Sequence, residues 1–594
     1  MYYFVTAILG ACGMMVAASA VAGTGCSDHR VDGDPPLPPV HFLTHAAFHP
    51  FQEFKDMTCL ECKSAAAALD TLMAEGGTVE ELENLAITEC INFNMFPSDV
   101  CSSMVKLCGA EVLYVLNNTE YNYDTVCGWL LGGHCKNTEL EPWTIEIPGG
   151  KPEPYHPEPE QPTPNVLRIL HLTDTHVDLL YDEGSAAYCD HPLCCRHAFG
   201  DPGPGEAAAG HWGTLANCDI PLRTLEDMIA QAALTNPDLV YVTGDLPAHD
   251  VWAQDHASNL AAINTTNNIL KQYFPDTPVI SALGNHASAP VNSFVIPAAY
   301  SDGWSMSWLY DGVADMWAHW LPEEVLADVR RGGFFSYSPL PGLRVVSINM
   351  NFCNTLNWWL LLDNEDPVQE LQWLLETLAA AEASGEVVHL LGHIPPGNSD
   401  CDHTWSHVFN QIIVRYESTI RAMFLGHTHN DMLQVYYDPD DDTRPAIAAF
   451  VTPAGATGGS SNPSYKVFMV DAGHNDATWS VVDVETYSMN MTEANEEGGA
   501  PDFQLRYSAQ DSYGVTSLTP ASLDQLVLDL ATDETLFQKY EWNTHNTWAE
   551  IPDDWSCDKD CLKATVCRLV TGDSSNHDPC LRIEAIIDAA HTSS

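Results

Sequence analysis

The chain has 594 residues, 45% of them hydrophobic, so at about 100 to 200 residues per domain it divides into roughly three to five units with real cores, and wholesale disorder is excluded. Only 18% of residues are charged, yet 81 are acidic against 23 basic, and a net charge of -58 repels nucleic-acid phosphates, which excludes a nucleic-acid partner. The 25 histidines gain charge near about pH 6.5 and carboxylates protonate near about pH 4, so an acidic workplace relieves the self-repulsion.

Tyr2 to Ala22 carries no charge and ends on Ala20-Val21-Ala22 before Gly23, the small-residue pattern of a cleaved signal peptide at 1–22. A retained anchor is the competing reading, because no Lys or Arg precedes the run and its length approaches a membrane span. The 19 cysteines point to an oxidising compartment, hence to a secreted or lumenal protein, and sequons at Asn117, Asn264 and Asn490 fit glycosylation there.

After an N-terminal segment at 23–55, residues 56–138 form a compact block with Cys59, Cys62, Cys90, Cys101, Cys127 and Cys135. Thr78 and Glu81 make a capping box, and Leu82, Leu85, Ala86 and Phe93 recur on one helical face. The block resembles a saposin B-type domain, and the resemblance implies bridges Cys59–Cys135, Cys62–Cys127 and Cys90–Cys101 and a lipid-extracting or membrane-docking role. A disulfide-stapled helical spacer is the plainer alternative. Cys108 falls outside the pattern and is open to pairing with Cys26, to pairing between chains or to remaining free. Residues 139–165 hold a run of prolines and read as a semi-rigid linker.

From 166 to 495 apolar β-type runs alternate with helical segments, the pattern of an α/β domain. VLRILHLTDTH (166–176), PDLVYVTGDLPAHD (237–250), TPVISALGNH (277–286), VVHLLGH (387–393) and IRAMFLGHTH (420–429) all end in Asp, Asn or His. Carboxyl ends of strands are where ligands gather in α/β sheets, and these ends pool Asp174, His176, Asp245, Asn285, His286, His393, His427 and His429. Such carboxylate, amide and imidazole donors suit two borderline divalent metals. Beyond 496, DQLVLDLATDETLFQKYEW has helical spacing, and Cys557, Cys561, Cys567 and Cys580 make the last hundred residues a helical, disulfide-stapled cap. A zinc site on those cysteines is the rival reading.

The order D-x-H, G-D, G-N-H, G-H, G-H-x-H resembles the calcineurin-like metallophosphoesterase superfamily. More narrowly, GDLPAHDVW (244–252), GNHASAPVNSF (284–294), NMNFC (349–353), GHIPPG (392–397) and GHTH (426–429) behind the saposin-like block resemble the acid sphingomyelinase family. That resemblance implies a β-sandwich flanked by helices, within an overall α/β class, between an all-α saposin domain and a C-terminal helical subdomain. It implies two Zn2+ ions, one on Asp174, His176, Asp245 and His429, the other on Asp245, Asn285, His393 and His427, with Asp245 shared. His249 and His286 become the candidates for acid catalysis and transition-state contact, with His249 alternatively an orienter of a ligand. It further implies bridges Cys189–Cys194, Cys195–Cys218, Cys353–Cys401, Cys557–Cys561 and Cys567–Cys580. Ala287 departs from the superfamily, which often has an acidic residue after G-N-H.

The expected activity is zinc-dependent hydrolysis of sphingomyelin to ceramide and phosphocholine at acidic pH, through metal-activated hydroxide attack on phosphorus. The partners are then a sphingomyelin-containing membrane surface and small phosphodiesters, the chain a monomer, the place secreted or lysosomal. A soluble nucleotide phosphodiesterase and an inactive lipid-binding or transfer protein are the alternatives.

Overall fold

The computed structural model describes residues 76–590 apart from 93, 132–139, 161, 162, 164, 459, 460, 497, 547 and 549–556, together with the isolated positions 63, 67 and 71. The expected signal peptide, the segment 23–55, Cys26, Cys59, Cys62, Phe93 and Cys135 lie outside the described residues. Among the described residues no helix is long and apolar enough to cross a membrane.

Three helices come first, α1 (Val79–Asn92), α2 (Ser98–Asn118) and α3 (Tyr123–Leu131). The Thr78 amide donates to Glu81 Oε2 at 2.9 Å and the Glu81 amide to Thr78 Oγ1 at 3.2 Å, a reciprocal cap that satisfies two donors the helix itself leaves unpaired. Leu82, Ala86 and Cys90 form the buried stripe of α1, four residues apart, while Leu85 sits at its half-buried edge. A Cys90–Cys101 bridge ties α1 to α2. Cys108 is also disulfide-bonded, so the free-thiol option for it is removed, and Cys127 is bonded as well.

The proline-rich stretch is strapped to the α/β body. Glu417, buried on its side-chain atoms, ion-pairs with Lys151 at 2.5 Å, His156 at 3.0 Å and Arg444 at 2.7 Å. Burial alone would raise this carboxyl, but hydrogen bonds from His156, Arg444 and Lys151 outweigh it and pull it down to about 2. Farther along, the Tyr155 amide donates to Ser418 Oγ at 2.9 Å and Ser517 Oγ to Glu158 at 2.6 Å. A chain fixed at so many points is a brace, whereas its composition alone reads as a tether.

The body is a sandwich of two mixed sheets. One runs β14 (Gln504–Ser508), β13 (Val481–Ser488), β12 (Ser464–Asp471), β1 (Val166–Leu172), β4 (Leu239–Val242), β5 (Val279–Ser281). The other runs β10 (Met432–Asp438), β11 (Asp441–Val451), β9 (Ile420–Leu425), β8 (Val387–Leu391), β7 (Leu343–Ser347), β6 (Phe335–Leu340). A small pair, β2 (Val177–Asp178) and β3 (Ile220–Pro221), lies parallel beside the site. Each sheet has a parallel part, β1 with β4 and β5 at one side of the first and β7 with β8 and β9 in the middle of the second. Their continuous apolar runs follow from burial on both faces. Aromatic rings fill the space between sheets: Phe424 of β9 meets Tyr241 of β4 and Phe468 of β12, each at 5.0 Å between centroids and near perpendicular. The parallel register sends β1, β4, β5, β8 and β9 out of the same edge, and there the site forms.

The C-terminal cap is helical and packs on β10 and β11. The run 524–542 divides into Pro520–Thr532 and Glu534–Thr544, because Asp533 leaves helical geometry and its side chain accepts from the Thr535 and Leu536 amides at 2.9 and 3.1 Å. Bridges Cys557–Cys561 and Cys567–Cys580 consume the thiols there, so a cysteine zinc site is ruled out. Bridges Cys189–Cys194, Cys195–Cys218 and Cys353–Cys401 border the functional edge.

Candidate metal centre

β1, β4, β5, β8 and β9 each run into a tight turn that carries one or two of the site residues. Asp174, His176, Asp245, His427 and His429 all have positive φ, between 39° and 70°. Left-handed backbone costs about 1 to 3 kcal/mol at each non-glycine residue, and it clusters where converging side chains repay it with a ligand. Gly244 also has positive φ, 102°, as a sharp turn requires. Gly284 is needed for a different reason, because a Cβ there would lie 2.0 Å from Asp245 Oδ1.

One loop organises the rest. The Asp174 and His176 amides donate to the carbonyls of Gly244 and Asp245 at 3.0 and 3.1 Å. His176 Nδ1 donates to the Pro247 carbonyl at 2.9 Å, and His393 Nδ1 to the Thr243 carbonyl at 2.7 Å. A carbonyl only accepts, so each ring carries a hydrogen on Nδ1 and turns Nε2 inward, the nitrogen that offers a lone pair when the ring is neutral.

All seven residues expected as metal ligands meet there. His176 Nε2 lies 3.2 Å from His429 Nε2 and 3.8 Å from Asp245 Oδ2, and His429 Nε2 lies 3.4 Å from Asp174 Oδ1. On the other side His393 Nε2 is 3.1 Å from both Asp245 Oδ2 and Asn285 Oδ1, and His427 Nδ1 is 3.1 Å from Asn285 Oδ1. Asp245 belongs to both groups. Asp174, His176, Asp245, Asn285 and His393 are buried and form the floor, while His427 and His429 are half-buried at the mouth. Lone pairs this close repel one another unless positive charge sits among them. Burial alone would depress His393, yet Asp245 and Asp174 outweigh it and push the ring up to about 9, the mark of a place that demands a cation. The donor set fits a divalent ion on either side of Asp245.

The two remaining histidines divide. His249 stacks on His176 with centroids 3.8 Å apart, and its Nδ1 lies 2.8 Å from Asp219 Oδ1, while its amide donates to Asp219 Oδ2 at 2.7 Å. Burial works against a charged His249, but the Asp219 carboxylate prevails and its pKa is raised. His286 has no such partner. Burial drives it down to about 3, and neither ring nitrogen has a hydrogen-bond partner among the described residues. Ala287 offers it none. The Asn285 Nδ2 amide is likewise buried without a partner. Two neighbouring residues that bury hydrogen-bonding atoms without a protein partner beside the donor cluster suit contact with a bound ligand.

Sequence reasoning missed two carboxylates, Asp219 beside His249 and Asp400, 3.0 Å from His427 Nε2. Each sits next to a bridged cysteine, Cys218 and Cys401, and nothing in the local sequence marks either as more than part of a disulfide loop.

Of the sequon residues, Asn117 and Asn264 are exposed, whereas Asn490 is half-buried with its Oδ1 accepting from the Thr492 and Glu493 amides.

Comparison with known proteins places this geometry. Residues 167–431 match the calcineurin-like phosphoesterase family, and 445–587 match the acid sphingomyelin phosphodiesterase C-terminal region. The chain is 39% identical to a sphingomyelin phosphodiesterase of Bos taurus, over 88% of this chain and 84% of the relative. It is 39% identical to a sphingomyelin phosphodiesterase of Homo sapiens, over 86% and 81% respectively. Sphingomyelin phosphodiesterase 2 of Caenorhabditis elegans is 35% identical, over 82% of each.

Proposed function

The chain belongs to the sphingomyelin phosphodiesterase family of calcineurin-like phosphoesterases, and from that premise we propose that it hydrolyses sphingomyelin to ceramide and phosphocholine, with zinc as its metal and an acidic optimum. The observation that carries this reading is the pair of donor sets sharing Asp245, with the Asp219-bound His249 stacked against them. Asp174, His176, Asp245 and His429 would hold one ion, Asp245, Asn285, His393 and His427 the other. Such ions supply Lewis acidity toward the phosphoryl group and lower the pKa of a water.

The remaining work belongs to the protein's own groups. With Nδ1 engaged by Asp219, His249 presents Nε2 to the site, and an imidazolium there gives its proton to the departing ceramide oxygen. Asp219 holds the ring in orientation and favours its charged form. Neutral His286 and the Asn285 amide donate hydrogen bonds to phosphoryl oxygens, which suits groups buried without partners of their own. The N-terminal block at 56–138 presents the lipid, in keeping with the packing of α2 on the α/β body: Tyr114 donates to Asp302 at 2.6 Å and Thr119 to the Leu361 carbonyl at 2.6 Å. The bridges and the apolar leader at 1–22 support a secreted or lysosomal place. We take the active form to be the monomer.

The test offers zinc-loaded protein sphingomyelin liposomes and a soluble phosphodiester at about pH 5 and about pH 7. Ceramide release from liposomes, faster at the lower pH and abolished by chelation, is expected. Turnover of the soluble diester alone would sink the lipid assignment.

A further inference from the structure

His427 is held from outside as well as from within. Its Nδ1 faces Asn285 Oδ1 at 3.1 Å, inside the donor cluster, and its Nε2 faces Asp400 Oδ2 at 3.0 Å. The His427 side chain is 7% exposed and the Asp400 side chain 23%, so the contact lies at the mouth and is partly shielded from water. His176 and His393 are oriented by main-chain carbonyls of one loop, whereas His427 has a full carboxylate in that position.

The loop around Asp400 is built to stay put. The Asp400 amide donates to Asn398 Oδ1 at 2.9 Å, and its carbonyl accepts from the Thr355 amide at 2.8 Å. Its neighbour Cys401 is bridged to Cys353, and the Asp402 amide donates to the Cys353 carbonyl at 2.7 Å. Asp402 then caps the helix His403–Arg415, its side chain accepting from the Trp405 amide at 3.0 Å. Every residue from 398 to 402 is therefore held through its main chain, its side chain or both, Ser399 by its hydroxyl on Asn398 Oδ1 at 3.3 Å, and the carboxylate is delivered in one place.

We propose that Asp400 is a positioning residue for the second metal ion: it accepts the Nε2 hydrogen of His427, fixes the ring so that Nδ1 faces the ion, and strengthens that nitrogen as a donor. A carboxylate behind an imidazole ligand raises its basicity, and loss of such a partner costs about 10- to 100-fold in metal affinity. The inference rests on His427 being a ligand, as proposed above.

The experiment measures zinc retention by the full chain against a competing chelator, for wild type, Asp400→Ala, Asp400→Asn and His427→Ala, with the thermal midpoint of each metal-stripped form as a control. Asp400→Ala is expected to release one of two zinc ions at about 10- to 100-fold lower chelator concentration, with Asp400→Asn between it and wild type because the amide oxygen still accepts. His427→Ala should lose that same ion. Wild-type retention in both Asp400 variants, with only the Michaelis constant for sphingomyelin altered, would overturn the assignment and make Asp400 a substrate contact. Should wild type bind no zinc, or His427→Ala retain both ions, the metal-centre reading fails with it. A metal-stripped Asp400→Ala that melts like wild type yet loses zinc excludes mere misfolding, and Asp400→Asn decides the matter if the alanine variant does not fold.

Discussion

His249 is half-buried against His176, and Asp219 is the foremost of the carboxylates that raise its pKa against the effect of burial, so the Asp219 carboxylate tunes the pH at which the proposed acid works. A raised imidazole is charged below its pKa and loses the proton as pH rises through it, so activity that needs the imidazolium falls on the alkaline side. Asp219→Asn removes the largest raising charge and leaves Asp245 and Asp174 alone against burial. The alkaline limb of kcat/KM should therefore move to lower pH, with the loss greater at about pH 7 than at about pH 5, while His249→Ala costs about 100- to 10,000-fold throughout. An unchanged pH profile in Asp219→Asn would disprove the dyad. Gly284 gives a second test at this scale: a methyl there meets Asp245 Oδ1 at 2.0 Å, so Gly284→Ala should displace the shared carboxylate, and zinc content per chain should drop together with activity. The strand-end residues were legible because short motifs hold them, a ligand followed or preceded by the glycine that lets the turn form. Asp219 and Asp400 were not, since their partners lie 30 and 27 residues away and meet them only through packing.

At the scale of elements, the turn that carries His429 runs into Asp431, a buried carboxylate paired with Lys466 of β12, which is itself fully buried. Thr486 of β13 donates to the same carboxylate at 3.0 Å and Tyr507 of β14 at 2.6 Å, so a single charge fastens the turn of His429 to three strands of the opposite sheet. Removing one member of a buried pair strands the other and costs about 3 to 5 kcal/mol, far above the median worth of a surface pair. Lys466→Met is expected to lower the thermal midpoint sharply, and Lys466→Met with Asp431→Asn to recover much of the loss, because the stranded charge is then gone. Equal midpoints for the single and double variants would contradict this account. The parallel strands were legible from their unbroken apolar runs, which only two-sided burial explains. A lysine inside such a run has no local sign of its partner, and the break at Asp533 within an otherwise helical spacing is set by a cap whose choice over continued helix is made in three dimensions. The brace at 141–160 was hidden for the same reason: its prolines are legible, but the Glu417 that anchors it is more than 250 residues away.

At the scale of the whole molecule, Glu111 of α2 connects the helical block to the α/β body and to pH. Its carboxyl accepts from Ser293 Oγ, which in turn accepts from Trp359 Nε1 at 2.9 Å. Neither Ser293 nor Trp359 carries charge, and two other carboxylates of this helix and its surroundings are paired, Asp302 with Tyr114 at 2.6 Å and Asp99 with His191 at 2.9 Å. Burial therefore raises Glu111 from 4.5 to about 7, only partly offset by the hydrogen bonds. A carboxyl raised on folding stabilises the docked block fully below its unfolded value, and the contribution is lost as pH climbs through about 7. The shift corresponds to about 3 kcal/mol, a large share of ordinary domain stability. Glu111→Gln keeps the shape and removes the titration. Between about pH 5 and about pH 8 the wild-type thermal midpoint should fall further than that of Glu111→Gln, and proteolysis within α1 to α3 should accelerate at the higher pH in wild type alone. The comparison cancels the general relief of repulsion that acid brings to a chain of net charge -58, because both proteins share it. Parallel pH dependence in the two would show that Glu111 does not hold the junction, and the acid preference would then have to come from His249 and the surface charge alone.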